Sequence, residues 1–325
     1  GKCSHWTDVR SGTPEGGILS PLLFVCFIND LPLALNTSSL MFADDVKIYS
    51  RVDHEGDVRH LQHQLDQLCR WSASWGLSLN PVKCRVLTLS LRRNLTIGKY
   101  TVDGVVLERV SVMRDLGVFL DEKLTFADHI DSAVRKANRA LGLLTRSFQT
   151  GKQGRSLQEC DIGAVKCTFN ANVRSILEYC SVVWNGAADT HLKRLERVQH
   201  RFLMWLSYRW RTRDVSLQYE DLVRTFRVDT LAARRVQHDI LFIRNVHRHV
   251  IDSSFLLEHM PIAAPTRTLR RSSVFHVPFG RTNTVKNSIF SRAPQSCNMF
   301  LGKHCDVDVW TDGNMRFRKR VIEYV

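Results

Sequence analysis

Residues 38–50 read SSLMFADDVKIYS: an apolar run carries two adjacent aspartates, Asp44 and Asp45, and then turns apolar again. The flanks SLMFA and VKIYSRV are short and rich in β-branched and aromatic residues, so the stretch reads as a tight hairpin with the acids at its tip. Two carboxylates held side by side repel and lose hydration unless something positive compensates them. A divalent cation is one such compensation, and hard carboxylate oxygens suit Mg²⁺, which keeps waters and takes one or two carboxylates plus phosphate oxygens. Successive strand side chains face opposite ways, so one acid meets a given site squarely, and Asp44 is the preferred primary ligand. The alternative is an exposed turn, where aspartate is common and needs no metal.

Upstream, the glycine-rich RSGTPEGG at 10–17 reads as a loop opening onto ILSPLLFVCFINDLPLAL, a helix too apolar to be exposed. Downstream, Leu61, Leu65, Leu68, Trp71 and Trp75 recur at helical spacing from His54 to Gly76, with both tryptophans expected in the core. CRVLTLSL, YTVDGVVLE and DLGVFLD read as strands, with a turn at VDG. Beyond about residue 122 the pattern takes the helical period in four long segments. GKQGRS, at 151–156, reads as a loop, and the stretch from about 260 as basic and loop-rich.

The chain has 325 residues, 44% of them hydrophobic, enough for a sizeable core and about two domains. Its net charge of +14 is uneven: residues 1–200 carry +4 and residues 201–325 carry +10. Such an excess suits a polyanion, most simply nucleic acid, or else a solvated basic surface. The nine cysteines are odd in number and contain no CxxC pair, so neither a disulfide framework nor a zinc site is suggested, and Cys297, His304 and Cys305 fit no zinc spacing. The longest apolar stretch is short and interrupted by Pro21, below the roughly 20 residues a bilayer span needs. No signal peptide precedes it, which sets the expectation of an intracellular protein. The chain opens GKCSHW, without an initiator methionine, and is expected to be a fragment.

Taken in order, SGTPEGGILSPLLF, FADD and WSASWGLSLNPVKC resemble the motifs of a reverse transcriptase from a non-LTR retrotransposon, LINE-type and jockey-like, truncated at its N-terminus. The likeness continues through DLGVFLDEKLTFADHI, VRSILEYCSVVWN, LKRLERVQHRFLMWL and RTNTVKNSIFSRAPQSCN. It implies an α+β architecture: a partial palm at 1–122 without fingers or first aspartate motif, the start of a thumb at 123–150, a helical region at 151–260 and a basic tail at 261–325. It implies RNA-directed nucleotidyl transfer with two metal ions about 3.5–4 Å apart. The cofactor is then Mg²⁺, or Mn²⁺, held by Asp44 and Asp45, with Lys83 assisting nucleotide addition. Ser11, Gly12, Pro14, Glu15, Gly16, Gly17 and Ser20 would contact template and nucleotide, and Leu116, Gly117 and Val118 would form the primer grip. Implied partners are an RNA template, a DNA primer or target, deoxynucleoside triphosphates and the N-terminal part of the same polyprotein, with no membrane. The implied location is a cytoplasmic ribonucleoprotein, then the nucleus at the site of integration.

The residues also carry readings of their own. Gly12, Gly16 and Gly17 let a backbone approach a base pair or phosphate, or simply form a helix-entry loop. Lys83 could protonate a pyrophosphate leaving group or be a solvated strand-edge lysine. Leu116, Gly117 and Val118 could equally be plain strand residues. Two departures stand out. The motif with the first catalytic aspartate would precede the glycine loop, and Asp8 is a poor substitute for it; Glu15 stands where the family commonly has glutamine, replacing a donor and acceptor by a charge. The expectation is a polymerase fragment inactive alone. The competing readings are a decayed element remnant and a non-catalytic nucleic-acid-binding module that uses RFLMWLSYRWRTR, 201–213. In the latter segment Phe202, Trp205 and Leu206 could instead face a core.

Overall fold

The computed structural model describes residues 12, 16–148, 159–210, 218–263 and 273–324, the side chains of 159–161 excepted. Helices and small sheets are mixed, and the chain divides into two compact units, Gly1–Met113 and Arg114–Val325.

In the first unit, helices α1 (Ser20–Ile28) and α2 (Leu31–Ala34) lead into β1 (Ser38–Phe42) and β2 (Asp45–Tyr49). Helix α3 (Glu55–Ser74) follows, then β3 (Arg85–Leu87), β4 (Thr101–Val102), β5 (Val105–Val106) and β6 (Glu108–Val110). Pro21 sits in the first turn of α1, where a missing N–H costs nothing. Helix α3 opens on a reciprocal cap: the His54 ring accepts the Asp57 N–H, and the Asp57 carboxylate accepts that of His54. It closes at Gly76, φ +66°, where Gly76 N–H donates to Ala73 and Leu77 N–H to Ser72, the paired bonds of a Schellman stop. Strands β4 and β5 join through Asp103 and Gly104, both at positive φ as a type I′ turn requires, at the expected VDG. Strand β3 pairs in parallel with β6.

The apolar α1 departs from expectation. Ile28 alone is buried, while Ile18 before the helix is 96% exposed and Leu19, Leu22, Leu23 and Val25 are exposed too. The segment folds as a helix on local preference, but nothing among the described residues packs against most of its surface. Trp75, expected in the core, is 45% exposed because it caps α3 rather than lying on its inner stripe.

The second unit is mostly helical. Strand β7 (Val112–Asp115), in which the division falls, pairs with β8 (Val118–Asp121). Then come α4 (Ala127–Ser147), α5 (Glu159–Phe169), a π-turn at Asn170–Arg174, α6 (Ser175–Glu178), α7 (Ser181–Trp184) and α8 (Asp189–Arg209). After these lie α9 (Tyr219–Thr225), α10 (Leu231–His247), α11 (Ser254–His259), α12 (Asn283–Lys286), α13 (Ile289–Lys303) and α14 (Asn314–Tyr324). Ile130, Ala133, Ala137, Leu141 and Leu144 give α4 a buried stripe at three- and four-residue spacing. It packs in one core with Leu195, Val198, Phe202, Leu203 and Leu206 of α8, and Phe169 stacks on Phe202 at 3.9 Å. Phe202 and Leu206 are thus core residues, with Trp205 packed against them.

The stretch beyond 260, expected to be loop-rich, carries α12, α13 and α14 and helps build a second core of Ile240, Ile243, Phe275, Phe300, Phe317 and Val321. Aromatic residues spaced too irregularly to show a period still converge in space. Cys297 lies in this core, where burial pushes its thiol up to about 12, so it is an inert apolar filler. The expected loop at 151–156 lies outside the described residues.

Candidate active site

The hairpin forms as the sequence predicts. Strands β1 and β2 run antiparallel with Phe42 opposite Asp45, leaving Ala43 and Asp44 as a two-residue turn. Ala43 adopts φ +51°, a left-handed backbone that costs a residue with a side chain about 1–2 kcal/mol. Met41, Val46 and Ile48 point inward and pack with Leu31, Leu35, Leu68 and Trp71. The opposite face presents Leu40, Phe42, Asp45, Lys47 and Tyr49 in register, with Leu40, Phe42 and Tyr49 exposed. The packed face therefore fixes where the tip points. Asp44 lies in the turn and Asp45 opens β2; both are exposed, and neither has a hydrogen bond or ion pair among the described residues.

The glycine loop is described at Gly12, Gly16 and Gly17; Ser11, Pro14 and Glu15, like Asp8, lie outside the described residues. Gly12 and Gly16 take φ +91° and +75°, where an added Cβ would meet no atom within 4 Å but would strain the backbone. Ser20 starts α1, its N–H reaching the Gly17 carbonyl at 3.3 Å. Lys83 sits in the turn before β3, where its backbone N–H is held by the Asn80 carbonyl at 3.0 Å and the Asn80 side chain at 3.3 Å. Its side chain is exposed, and no hydrogen bond or ion pair joins it to Asp44 or Asp45 among the described residues.

Leu116 and Gly117 differ from the expected strand placement. Both have positive φ, +42° and +88°, and form the turn of the β7–β8 hairpin, with Val118 buried as the first residue of β8. Tyr179, which the sequence did not single out, donates from its hydroxyl to the Leu116 carbonyl at 2.9 Å. Its ring lies 3.0 Å from where a Gly117 Cβ would stand. The sequence signal was the pair LG between two alternating runs, which fits a I′ turn as well as a strand.

Two unpaired carboxylates on a rigid tip are a fitting donor set for a hard divalent cation that retains waters and bridges to phosphate oxygens. They do not complete one: among the described residues no group of three or more His, Cys, Asp or Glu could hold a metal ion. No described helix is long and apolar enough to cross a membrane.

An exposed two-aspartate hairpin tip behind a glycine-rich helix entry is the arrangement of a metal-dependent nucleotidyl-transfer site, and residues 2–141 match the model of the family "Reverse transcriptase (RNA-dependent DNA polymerase)". The chain belongs to the reverse transcriptases of non-LTR, LINE-type retrotransposons and is by family a nucleotidyltransferase. It is similar to the probable RNA-directed DNA polymerase from transposon BS of Drosophila melanogaster, 27% identical over 81% of this chain and 29% of the relative. It also resembles that from transposon X-element of the same fly, 24% identical over 74% of this chain and 26% of the relative. The RNA-directed DNA polymerase from mobile element jockey of Drosophila funebris is 26% identical over 64% of this chain and 23% of the relative. The chain thus spans under a third of these relatives' length. No solved structure matches it. The family as a whole uses divalent metal ions and acts on a nucleic-acid template and primer.

Proposed function

We propose that the chain is part of an RNA-directed DNA polymerase, contributing a section of palm and a helical thumb and C-terminal region. In this reading Asp44 and Asp45 hold Mg²⁺ or Mn²⁺ together with a carboxylate from elsewhere in the polymerase. The observation that carries it is the pair of uncompensated carboxylates on a hairpin whose other face is packed. The metal, when bound, lowers the pKa of a primer 3′-hydroxyl and neutralises charge on the leaving oxygen. The chain's own residues position and protonate. Gly12, Gly16 and Gly17 give the backbone close access to template and nucleotide. Lys83, with its backbone anchored by Asn80 and its ammonium free, delivers a proton to the departing pyrophosphate. The Leu116–Gly117 turn presents backbone to the primer.

Exposed Leu22, Leu23 and Val25 on α1, and Leu40 and Phe42 on the hairpin, support a further part of the polymerase covering them. The chain alone then extends no primer. The substrates are an RNA template, a DNA primer and deoxynucleoside triphosphates, encountered first in a ribonucleoprotein and then at the integration site.

Primer extension on poly(A)–oligo(dT) with Mg²⁺ tests this reading. The chain alone should incorporate nothing, while a longer polymerase containing it should extend and lose extension in Asp44→Ala. Robust extension by the chain alone would refute its incompleteness. Extension unaffected by Asp44→Ala would refute the site.

A further inference from the structure

The most extensive unpaired charge among the described residues lies away from the hairpin, on α4 and α8. Arg194 pairs with Asp131, Arg201 donates to the Asn138 side chain at 2.9 Å, and Arg209 reaches the Phe148 carbonyl. These partners advance together along both helices, so α4 and α8 lie side by side and run in the same direction. Their inner stripes are buried in the shared core. Their outer faces are cationic: Arg135, Arg139 and Arg146 recur at spacings of four and seven on α4, as Lys193, Arg197 and Arg201 do at four and four on α8.

All six are exposed, and none has an anionic partner among the described residues. A step of four residues advances about 6 Å along a helix, so each row runs for roughly 12–16 Å. The acids of the two helices do not neutralise it. Asp128, Asp131 and Asp189 lie at the N-terminal ends, with Asp131 already tied to Arg194, and Glu196 turns inward to accept the Leu231 and Ala232 N–H groups that open α10. Tyr208, 77% exposed, stands farther along α8.

We infer that the outer face of the α4–α8 pair binds the phosphate backbone of nucleic acid without reading its sequence. Six uncompensated cations in two parallel rows fit a regularly spaced polyanion, whose condensed counterions are released on binding. An anionic membrane surface fits less well, because a surface-lying helix needs an apolar face to insert, and the apolar faces of α4 and α8 are already buried in the core. The inference rests on the second unit alone, whatever the role of Asp44 and Asp45.

The test is fluorescence anisotropy of the full chain with a labelled RNA–DNA hybrid duplex of mixed sequence, titrated at several salt concentrations. Binding should weaken steeply with salt. The Arg135→Gln/Arg139→Gln/Arg197→Gln variant should bind roughly 10²-fold more weakly near 0.1 M salt and flatten the log–log salt slope by about 2–3 units. The corresponding Arg→Lys variant should keep most of both, and circular dichroism should match the parent chain, as expected of exposed positions. Asp44→Asn should bind as the parent does even where it abolishes extension by the longer polymerase, so failure of the catalytic reading and of this one are separable.

The inference is overturned if the triple glutamine variant keeps the parent's affinity and slope. It is overturned equally if Arg316→Gln/Arg318→Gln/Lys319→Gln on α14 costs as much, or if the chain prefers phosphatidylserine vesicles to the duplex in direct competition.

Discussion

Replacing Gly117 by alanine probes the β7–β8 turn and its clamp together. At φ +88° an alanine adopts a left-handed backbone at a cost of about 1–2 kcal/mol. The new Cβ would stand 3.0 Å from Tyr179 Cε1, closer than carbon atoms tolerate, so the ring must move. Tyr179 is exposed enough to swing away, but doing so gives up its 2.9 Å hydrogen bond to the Leu116 carbonyl, about 0.5–1.5 kcal/mol net. Against this, alanine restricts the unfolded chain and returns about 0.4–1 kcal/mol. The net expectation is a loss of about 2 kcal/mol, read as a lower urea midpoint by circular dichroism. In a Tyr179→Ala background the same change should cost only the backbone part, so the double-mutant cycle should show a coupling of about 0.5–1.5 kcal/mol. A neutral Gly117→Ala, or full additivity with Tyr179→Ala, would refute the described turn and its clamp.

Phe202→Ala empties a site that is 1% exposed and stacked on Phe169, and should lower stability by about 3–5 kcal/mol in the same denaturation assay. Asp121 supports the entry to α4: burial pushes its carboxyl up, but N–H groups of Thr125 and Phe126, with the Thr125 hydroxyl, outweigh that and hold it below the ordinary carboxylate range. Its contribution is therefore full above the unfolded value near 4 and is lost as pH falls through the lower folded value. Asp121→Ala should cost about 1 kcal/mol at pH 7 and progressively less in acid, as followed by urea midpoints across pH. Leu22→Gln/Leu23→Gln on exposed α1 should reduce self-association in sedimentation velocity while leaving the melting temperature within error.

Local signals carried far in this chain. Alternation around Asp44 and Asp45 announced the hairpin, VDG its neighbour's turn, and Gly76 the end of α3, because each depends on one or two residues' backbone preferences. The long helices were legible from three- and four-residue spacing. What misled was context. The apolarity of α1 signals burial, but burial requires a partner, and none is present for most of its surface. Leu116 and Gly117 fit a strand or a I′ turn equally until Tyr179, far along the chain, is seen holding the turn. The second core draws on Ile240, Phe275, Phe300 and Phe317, whose convergence no local period reveals. The cationic rows of α4 and α8 were visible only as basic helices; that they share one face depends on the helices lying parallel.

The central claim is that Asp44 and Asp45 form the metal-holding tip of a nucleotidyl-transfer site. Mn²⁺ titration of the chain, followed by water-proton relaxation, addresses it without requiring activity. The expected result is weak binding, displaced by Mg²⁺ and abolished in Asp44→Asn/Asp45→Asn with the fold intact; an identical titration curve for the chain and that variant would contradict it.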